Sequence, residues 1–379
     1  MEEALDAIID YRGRTPQKSP IGIPTLSAKS VKNGQIDYSE CYYISPEEYK
    51  KFMTRGFPQK GDILLTTEAP LGMVAKLDRA DVAVAQRLLT LRGKKGVLDN
   101  DFLMYYLQSS EGQGLLKAKE TGTTVTGIKQ AEFRKIVIKV PDFQTQKEIA
   151  AILSALDEKV ATNLAINENL ERQAQALFKS WFVDFDSVSK LGFTESELGD
   201  IPYGWRIYTL SEFLPVKTGK KNANVSSDKG AYPFFSCSQD FSWTDEYSFE
   251  GHAILVAGNG DFNVKWYNGK FEAYQRTYVL IPYVERYTDW LYYAVKYNLE
   301  SITSAARGSV IKFITKGNLE NFAFAAPENL EKCEIIDTFS SINRIIDALT
   351  QENYRLAEIR DSLLPKLMAG EIDASAVQL

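Results

Sequence analysis

Between residues 141 and 185 the chain reads PDFQTQKEIAAILSALDEKVATNLAINENLERQAQALFKSWFVDF. Apolar or small residues recur at Ile149, Leu153, Leu156, Val160, Leu170, Ala174, Leu177 and Trp181, three or four apart. That spacing marks a heptad seam and not a broad amphipathic face. Two seam positions, Asn163 and Asn167, are polar. No Gly or Pro interrupts residues 144–186, so the pattern predicts one helix of about 37 residues, roughly 55 Å long. A rod of that length joins domains or holds them apart.

The same pattern returns near the C-terminus in PENLEKCEIIDTFSSINRIIDALTQENYRLAEIRDSLLPKLMAGEI. Shifted by 186 positions, Ile149 falls on Ile335, Leu153 on Phe339, Leu156 on Ile342, Val160 on Ile346, Asn167 on Asn353, Leu170 on Leu356 and Leu177 on Leu363. Pro365 in this second rod predicts that its helix ends or kinks near Leu364. Each rod follows a strand-like run ending in proline, FRKIVIKVP before the first and LENFAFAAP before the second. Upstream, NDFLMYYL answers TDWLYYAV, VAQRLLTL answers AYQRTYVL, GTTVTGIKQAEF answers GSVIKFITKGNL, and GDILLTTEAPLGMVAKLD answers GHAILVAGNGDFNVKWY. The chain is therefore two copies of one unit, each a mixed domain followed by a rod. The fold class is α+β: two similar domains and two long helices, with a pseudo-twofold repeat. The boundaries read as a first domain at 1–143, a helix at 144–182, a linker at 183–205, a second domain at 206–327, a second helix at 328–369 and a tail at 370–379. VDFDSVSKLGFTESELGDIPYGW is assigned to the linker because it is acidic, carries Gly and Pro, and lacks periodicity.

If the rods pair about the middle of their seams, facing residues have numbers that sum to 516. Ile149 then meets Leu367, Leu153 meets Leu363, Val160 meets Leu356 and Leu170 meets Ile346. Asn163 meets Asn353, and buried asparagines of this kind fix register at some cost in stability.

Within the domains, SPEEYKKF at 45–52 reads as a short helix capped by Ser45. NDFLMYYLQSSEGQGLLKAK reads as helical from an Asn cap, and VAVAQRLLTLRG as one strand with Gln86 and Arg87 at its polar interruption. The aromatics between Tyr232 and Tyr274 read mainly as sheet core, with base stacking as the alternative.

Charge changes the picture once it is partitioned. The net charge of −6 is concentrated in the rods. Residues 142–200 hold 5 basic and 11 acidic side chains, and 328–379 hold 5 and 10. Residues 1–141 hold 21 and 17, and 201–327 hold 13 and 12. The mixed domains are mildly basic, and it is the local field that steers a polyanion. The three cysteines, Cys41, Cys237 and Cys333, form no disulfide framework and suit a reducing cytoplasm. No apolar run is long enough to span a membrane, so a membrane partner is not expected. One histidine, His252, leaves no room for a His-rich metal site, and it reads as structural. There is no GxxxxGK[ST], no HExxH and no GxSxG, and GNGDF at 258–262 reads as a turn. The residues alone point to a two-copy binding and spacing protein with no catalysis of its own.

FQTQKEIAAIL, NLERQAQALFKSWFVDF, LGDIPYGW and RLAEIRDSLLPKLMAGEID, with the duplicated layout, resemble the DNA-specificity subunit of type I restriction–modification systems. The resemblance covers nearly the whole chain. It implies that each mixed domain is a target-recognition domain reading half of an interrupted double-stranded DNA sequence, and that the two long helices pair as an antiparallel coiled coil acting as a ruler. It implies that two methyltransferase subunits and two motor/nuclease subunits are partners. S-adenosylmethionine, ATP and Mg belong on those partners and not on this chain. One departure is that IPYGWRIYTL introduces the second domain while the first begins directly at ALDAIIDYRG. Either the C-terminal tail completes the first domain or its start is shortened. The competing function is a scaffold whose mixed domains bind peptides or proteins.

Candidate DNA contacts follow from the chemistry. Arg12, Arg14, Lys18, Lys29 and Lys32 form a basic loop suited to phosphate, and Lys217, Lys220, Lys221 and Asn222 occupy its place in the second copy. Gln86 and Arg87 match Gln275 and Arg276; arginine bonds guanine in two places and glutamine does so with adenine. The Gly-Thr loop with Thr123, Thr124 and Lys129, and its counterpart with Arg307, Ser309 and Lys312, allows close backbone approach to phosphate.

Overall fold

The computed structural model describes residues 1–121, 126–304 and 313–377. They fall into two compact units. The first comprises residues 1–162 with 352–377, the second residues 163–351.

In the first unit, strands β1 (Leu5–Asp10), β2 (Ile23–Leu26) and β3 (Tyr42–Ile44) precede a short helix, α1 (Pro46–Phe52). The Ser45 hydroxyl accepts the Glu48 amide at 3.1 Å and so starts α1. Next come β4 (Ile63–Thr66), β5 (Val74–Lys76), β6 (Ala83–Val84) and β7 (Leu88–Gly93). Four strands form an antiparallel sheet in the order β1-β7-β4-β5, and three form a second sheet in the order β3-β2-β6. β4 shows why both of its faces are apolar. Ile63 and Leu65 point into one core with Phe102, Leu103 and Tyr106, while Leu64 points into another with Leu26, Val84 and Leu88. Alternate residues of a strand face opposite sides.

The run expected as a single strand around Gln86 and Arg87 is two strands in different sheets, β6 and β7, with the Gln-Arg pair in the turn between them. The expected Asn-capped helix also differs. It is two helices, α2 (Asn100–Gln108) and α3 (Ser110–Ala118), and Asp99 is the cap. The Asn100 side chain instead ties the Gly93 amide to the Gly61 carbonyl, each at 2.7 Å. A small α4 (Gln130–Arg134) leads to the long helix α5 (Phe143–Phe182). Residues 136–140 are not a strand, and Val137 is 80% exposed.

The second unit opens where a linker was expected. Residues 193–196 and 199–202 instead form a hairpin, β8 and β9, and β10 (Trp205–Thr209) follows at once. Ile201 and Trp205 are buried in the main core. The segment lacks periodicity because its apolar anchors are few and separated by tight turns. The strands β11 (Val216–Thr218), β12 (Tyr232–Phe235), β13 (Ser242–Thr244), β14 (Phe249–Ala257), β15 (Val264–Ala273) and β16 (Thr277–Leu280) make one sheet, ordered β11-β16-β14-β15-β12-β13. β14 repeats the division seen in β4: Ile254 and Val256 enter one core, Ala253 and Leu255 the other. Helices α6 (Thr288–Tyr297), α7 (Leu299–Ser304) and α8 (Lys316–Glu320) precede β17 (Ala323–Pro327), which pairs with β10. The residues between Tyr232 and Tyr274 do build sheet core, with Phe234, Phe235, Phe249 and Phe271 buried. The last helix, α9 (Ile335–Met368), spans both units, as α5 does.

Within the first unit the start of α5 runs antiparallel to the end of α9. Ile149 and Leu153 share a core with Leu363 and Leu367, and Arg360 meets Asp157 at 2.9 Å. Within the second unit the end of α5 pairs with the start of α9. Asn167 donates to the Thr350 hydroxyl at 3.2 Å, and Phe178 and Phe182 pack on Phe339. The Asp157–Arg360, Asn167–Thr350 and Phe178–Phe339 contacts lie one residue from the seam expected from sequence, and Phe182 reaches Phe339 from one turn further along. Asn163 is fully buried. Asn353, its expected partner, belongs to the first unit.

Pro365 does not end α9, which stays helical to Met368. A proline inside a helix removes one hydrogen bond and crowds the preceding turn. Here Leu367 is buried and Leu363, Leu364 and Met368 pack on the first unit's core, which offsets that loss. Ala374 and Ile372 join the same core. The C-terminal tail thus packs on the first domain, one of the two alternatives that the sequence left open.

Candidate nucleic-acid interface

The turn between β6 and β7 sits at the rim of a concavity of about 310 Å3. Its lining includes Arg12, Glu68, Gln86, Arg87, Gly127 and Lys129. Two backbone bonds build its floor. The Thr67 amide donates to the Arg87 carbonyl at 2.9 Å, and the Ile128 amide donates to the Thr67 carbonyl at 2.9 Å. Arg12 closes one side by donating to the Ile128 carbonyl at 2.6 Å. Arg87 holds a left-handed backbone with φ 73°, a conformation that costs a non-glycine residue energy and clusters at functional sites. Its Nε lies 2.7 Å from Oε1 of Glu68. Gly127 is needed here because an added Cβ would stand 2.5 Å from the Thr67 oxygen and 2.9 Å from the Glu68 Cβ.

The second unit repeats this frame. The Gly258 amide donates to the Arg276 carbonyl at 2.8 Å, and the Ile314 amide donates to the Gly258 carbonyl at 2.8 Å. A concavity of about 250 Å3 has Gln275, Arg276, Phe313 and Lys316 in its lining. The basic loop is attached to the same turn: the Gln275 amide donates to the Lys221 carbonyl at 2.9 Å.

The other predicted residues are less concentrated. Arg14 lies over the Phe52 ring and donates to Thr54, and Lys18 lies over Tyr42. Lys29 and Lys32 are exposed but line neither concavity. Lys220 lies over Phe249. Lys221 is bonded to Glu246 at 2.7 Å, which raises the ammonium pKa and lowers that of the acid. Lys217 and Asn222 are exposed. Thr123, Thr124, Arg307, Ser309 and Lys312 lie outside the described residues. Arg12, Gln86, Arg87 and Lys129 are thus brought together in one frame, and Gln275 and Arg276 with the 221 backbone in the other. Glu68, Asn259, Phe313 and Lys316 were not singled out from sequence. The runs GDILLTTEAPLG and GHAILVAGNGDF answer each other in sequence, but only the fold brings Glu68 against Arg87.

His252 lies in β14 with Nε2 3.2 Å from Oδ1 of Asp289. That carboxylate accepts a hydrogen bond from Asn343 of α9 at 2.6 Å. A polar concavity of about 430 Å3 surrounds this group and includes Arg286, Asp337 and Asp347. Among the described residues no cluster of three or more His, Cys, Asp or Glu side chains could hold a metal ion. No helix among them is long and apolar enough to cross a membrane.

Comparison with known proteins follows the duplication. The family model described as the type I restriction modification DNA specificity domain matches twice, at residues 8–172 and 202–358. The specificity subunit of the type I restriction enzyme EcoDI from Escherichia coli is 35% identical over 178 residues, 46% of this chain and less than half, 40%, of that one. The MjaIX specificity subunit from Methanocaldococcus jannaschii is 24% identical over 391 residues, covering 92% of this chain and 87% of that subunit. Among solved structures, the type I restriction–modification S subunit from M. genitalium superposes with a TM-score of 0.60 at 20% identity, over 97% of this chain and 94% of that one. At that identity the likeness speaks for the fold.

Proposed function

The chain belongs to the type I restriction–modification DNA-specificity family, and from that premise we propose that each recognition domain reads one half of an interrupted, asymmetric double-stranded DNA target. The observation that carries this reading is the repeated frame. In both domains a Gln-Arg turn stands at the rim of a concavity held by the same two backbone bonds. Arg12, Lys129, Lys220 and Lys316 supply positive charge on or beside those frames. Lysine and arginine on phosphate give affinity without sequence. Base-edge contacts in the major groove give sequence, and Arg87 and Arg276 have the donors for guanine. The halves carry different side chains around a shared frame, so the target is asymmetric.

The same reading makes this chain a scaffold without bond-making chemistry of its own. Two methyltransferase subunits bring S-adenosylmethionine and two motor/nuclease subunits bring ATP and Mg. The acidic faces of α5 and α9 are where such proteins dock. The test is a gel shift of the chain with its methyltransferase partner on random-sequence duplex DNA under salt titration. The reading requires affinity that falls steeply as salt rises; no salt-dependent binding with the partner present contradicts it.

A further inference from the structure

The two frames share their backbone bonds and their Gln-Arg turn, so those features cannot tell one half-site from the other. What differs is the residue that follows the shared backbone pair. Thr67 and Gly258 occupy equivalent places, since each donates to the arginine carbonyl and accepts from an isoleucine amide. The next residues, Glu68 and Asn259, are therefore equivalent, and the bridges confirm it: Glu68 pairs with Gly127 and Asn259 with Phe313.

Their chemistry differs. Glu68 is a carboxylate beside the Arg87 guanidinium at 2.7 Å. A carboxylate only accepts hydrogen bonds and can take more than one, and a guanidinium only donates. Side by side they complement a G·C pair, with arginine on guanine O6 and N7 and the acid on the cytosine N4 amino group. Asn259 both donates and accepts, and its Oδ1 takes the Cys237 thiol at 3.1 Å. An asparagine matches adenine N6 and N7. Its bridge partner Phe313 is 37% exposed, an apolar surface suited to the thymine methyl. Gly127 at the matching place in the first domain offers no such surface.

We propose that the position occupied by Glu68 and Asn259 sets which base pair each half reads: G·C in the first domain and A·T in the second. This rests on the DNA reading above and assigns the discriminating residue within it. Arg87 and Arg276 each contribute to their own half, and this position makes the two halves different.

The experiment selects from a pool of randomised duplex DNA with the full chain bound to its methyltransferase subunits, and sequences what is retained. Wild type, Glu68→Gln and Asn259→Asp are compared. Glu68→Gln is expected to relax one G·C position in one half-site by about tenfold, leaving the other half unchanged. Asn259→Asp is expected to relax one A·T position in the other half by a similar factor. If both variants keep the wild-type preferences, or weaken all sequences equally, position 68/259 only braces its neighbours and the proposal is overturned while DNA reading stands. If wild type itself retains no preferred sequence, the DNA reading fails and this assignment with it.

Discussion

The Tyr105 hydroxyl donates to Oδ2 of Asp157 across 2.8 Å, tying α2 of the first recognition domain to the rod helix α5. The same bond recurs in the second unit, where the Tyr293 hydroxyl donates to Oδ1 of Asn343 at 2.7 Å. Tyr105 and Tyr293 stand in the matching runs LMYYL and WLYYAV. Burial raises both phenol pKa values far above the ordinary value, with nearby carboxylates adding to the effect. Both tyrosines therefore stay protonated and act as donors. Tyr105→Phe should destabilise the first unit by about 1.5–3 kcal/mol, the range for a hydrogen bond to a charged partner. Denaturant unfolding measures it, and an unchanged midpoint would show that the tie carries no stability.

The seam of the rods predicts a contrast. Leu153 is fully buried, whereas Leu164 on the same helix is 50% exposed. Leu153→Ala should cost about 2–5 kcal/mol, and Leu164→Ala within about 0.5 kcal/mol of nothing. Comparable losses from the two changes would reject the seam.

Arg286 grips Asp337 with two bonds, at 2.7 and 2.8 Å, and also donates to the carbonyls of Leu330, Glu331 and Cys333. The Arg286 hydrogen bond is the main cause that holds the Asp337 carboxyl below its ordinary range. A carboxylate depressed in the folded state stabilises above its unfolded pKa, and that stability is lost as pH falls through the folded value. The melting gap between wild type and Arg286→Gln should therefore be full at neutral pH. It should begin to narrow near pH 4, the unfolded aspartate range, and keep shrinking below it. A gap that does not change between pH 7 and pH 3 would show that the ion pair contributes nothing.

Gly127 offers a test of the first frame that leaves every charge in place. A methyl group there would collide with the Thr67 oxygen and Glu68, so Gly127→Ala should push the 126–129 segment away from β4. Overpacking of this kind costs about 1–3 kcal/mol. Binding to the first half-site should fall while the second half-site is read as before, measured on DNA altered in one half at a time. Equal loss in both halves would mean that the effect is global.

The sequence carried the duplication and the two rods, because a heptad pattern repeats regularly and 186 residues separate like from like. It carried the two Gln-Arg pairs as matched positions, but placed Gln86 and Arg87 inside one strand and not in a turn. It misplaced local features whose cause is tertiary. Asp99 caps α2 because the Asn100 side chain is drawn away to Gly61 and Gly93. The hairpin at 193–202 is ordered because Ile201 and Trp205 find a core, and Pro365 is tolerated because Leu367 does. Glu68 could not be linked to Arg87 by pattern, since 19 positions and two further strands separate them.

Arg87 and Arg276 should act on different halves of the target. Arg87→Ala should relax one half-site by about tenfold or more, and Arg276→Ala the other. Overlapping effects on the same half would contradict the assignment of one frame to each half.

The most direct measurement is the shape of the selected DNA itself. Sequencing duplexes retained from a random pool by the full chain with its methyltransferase subunits should reveal two short, different blocks separated by a spacer of fixed length and no preferred sequence. A single contiguous block, two identical blocks, or no enrichment would contradict the account of two unlike recognition domains reading one interrupted target.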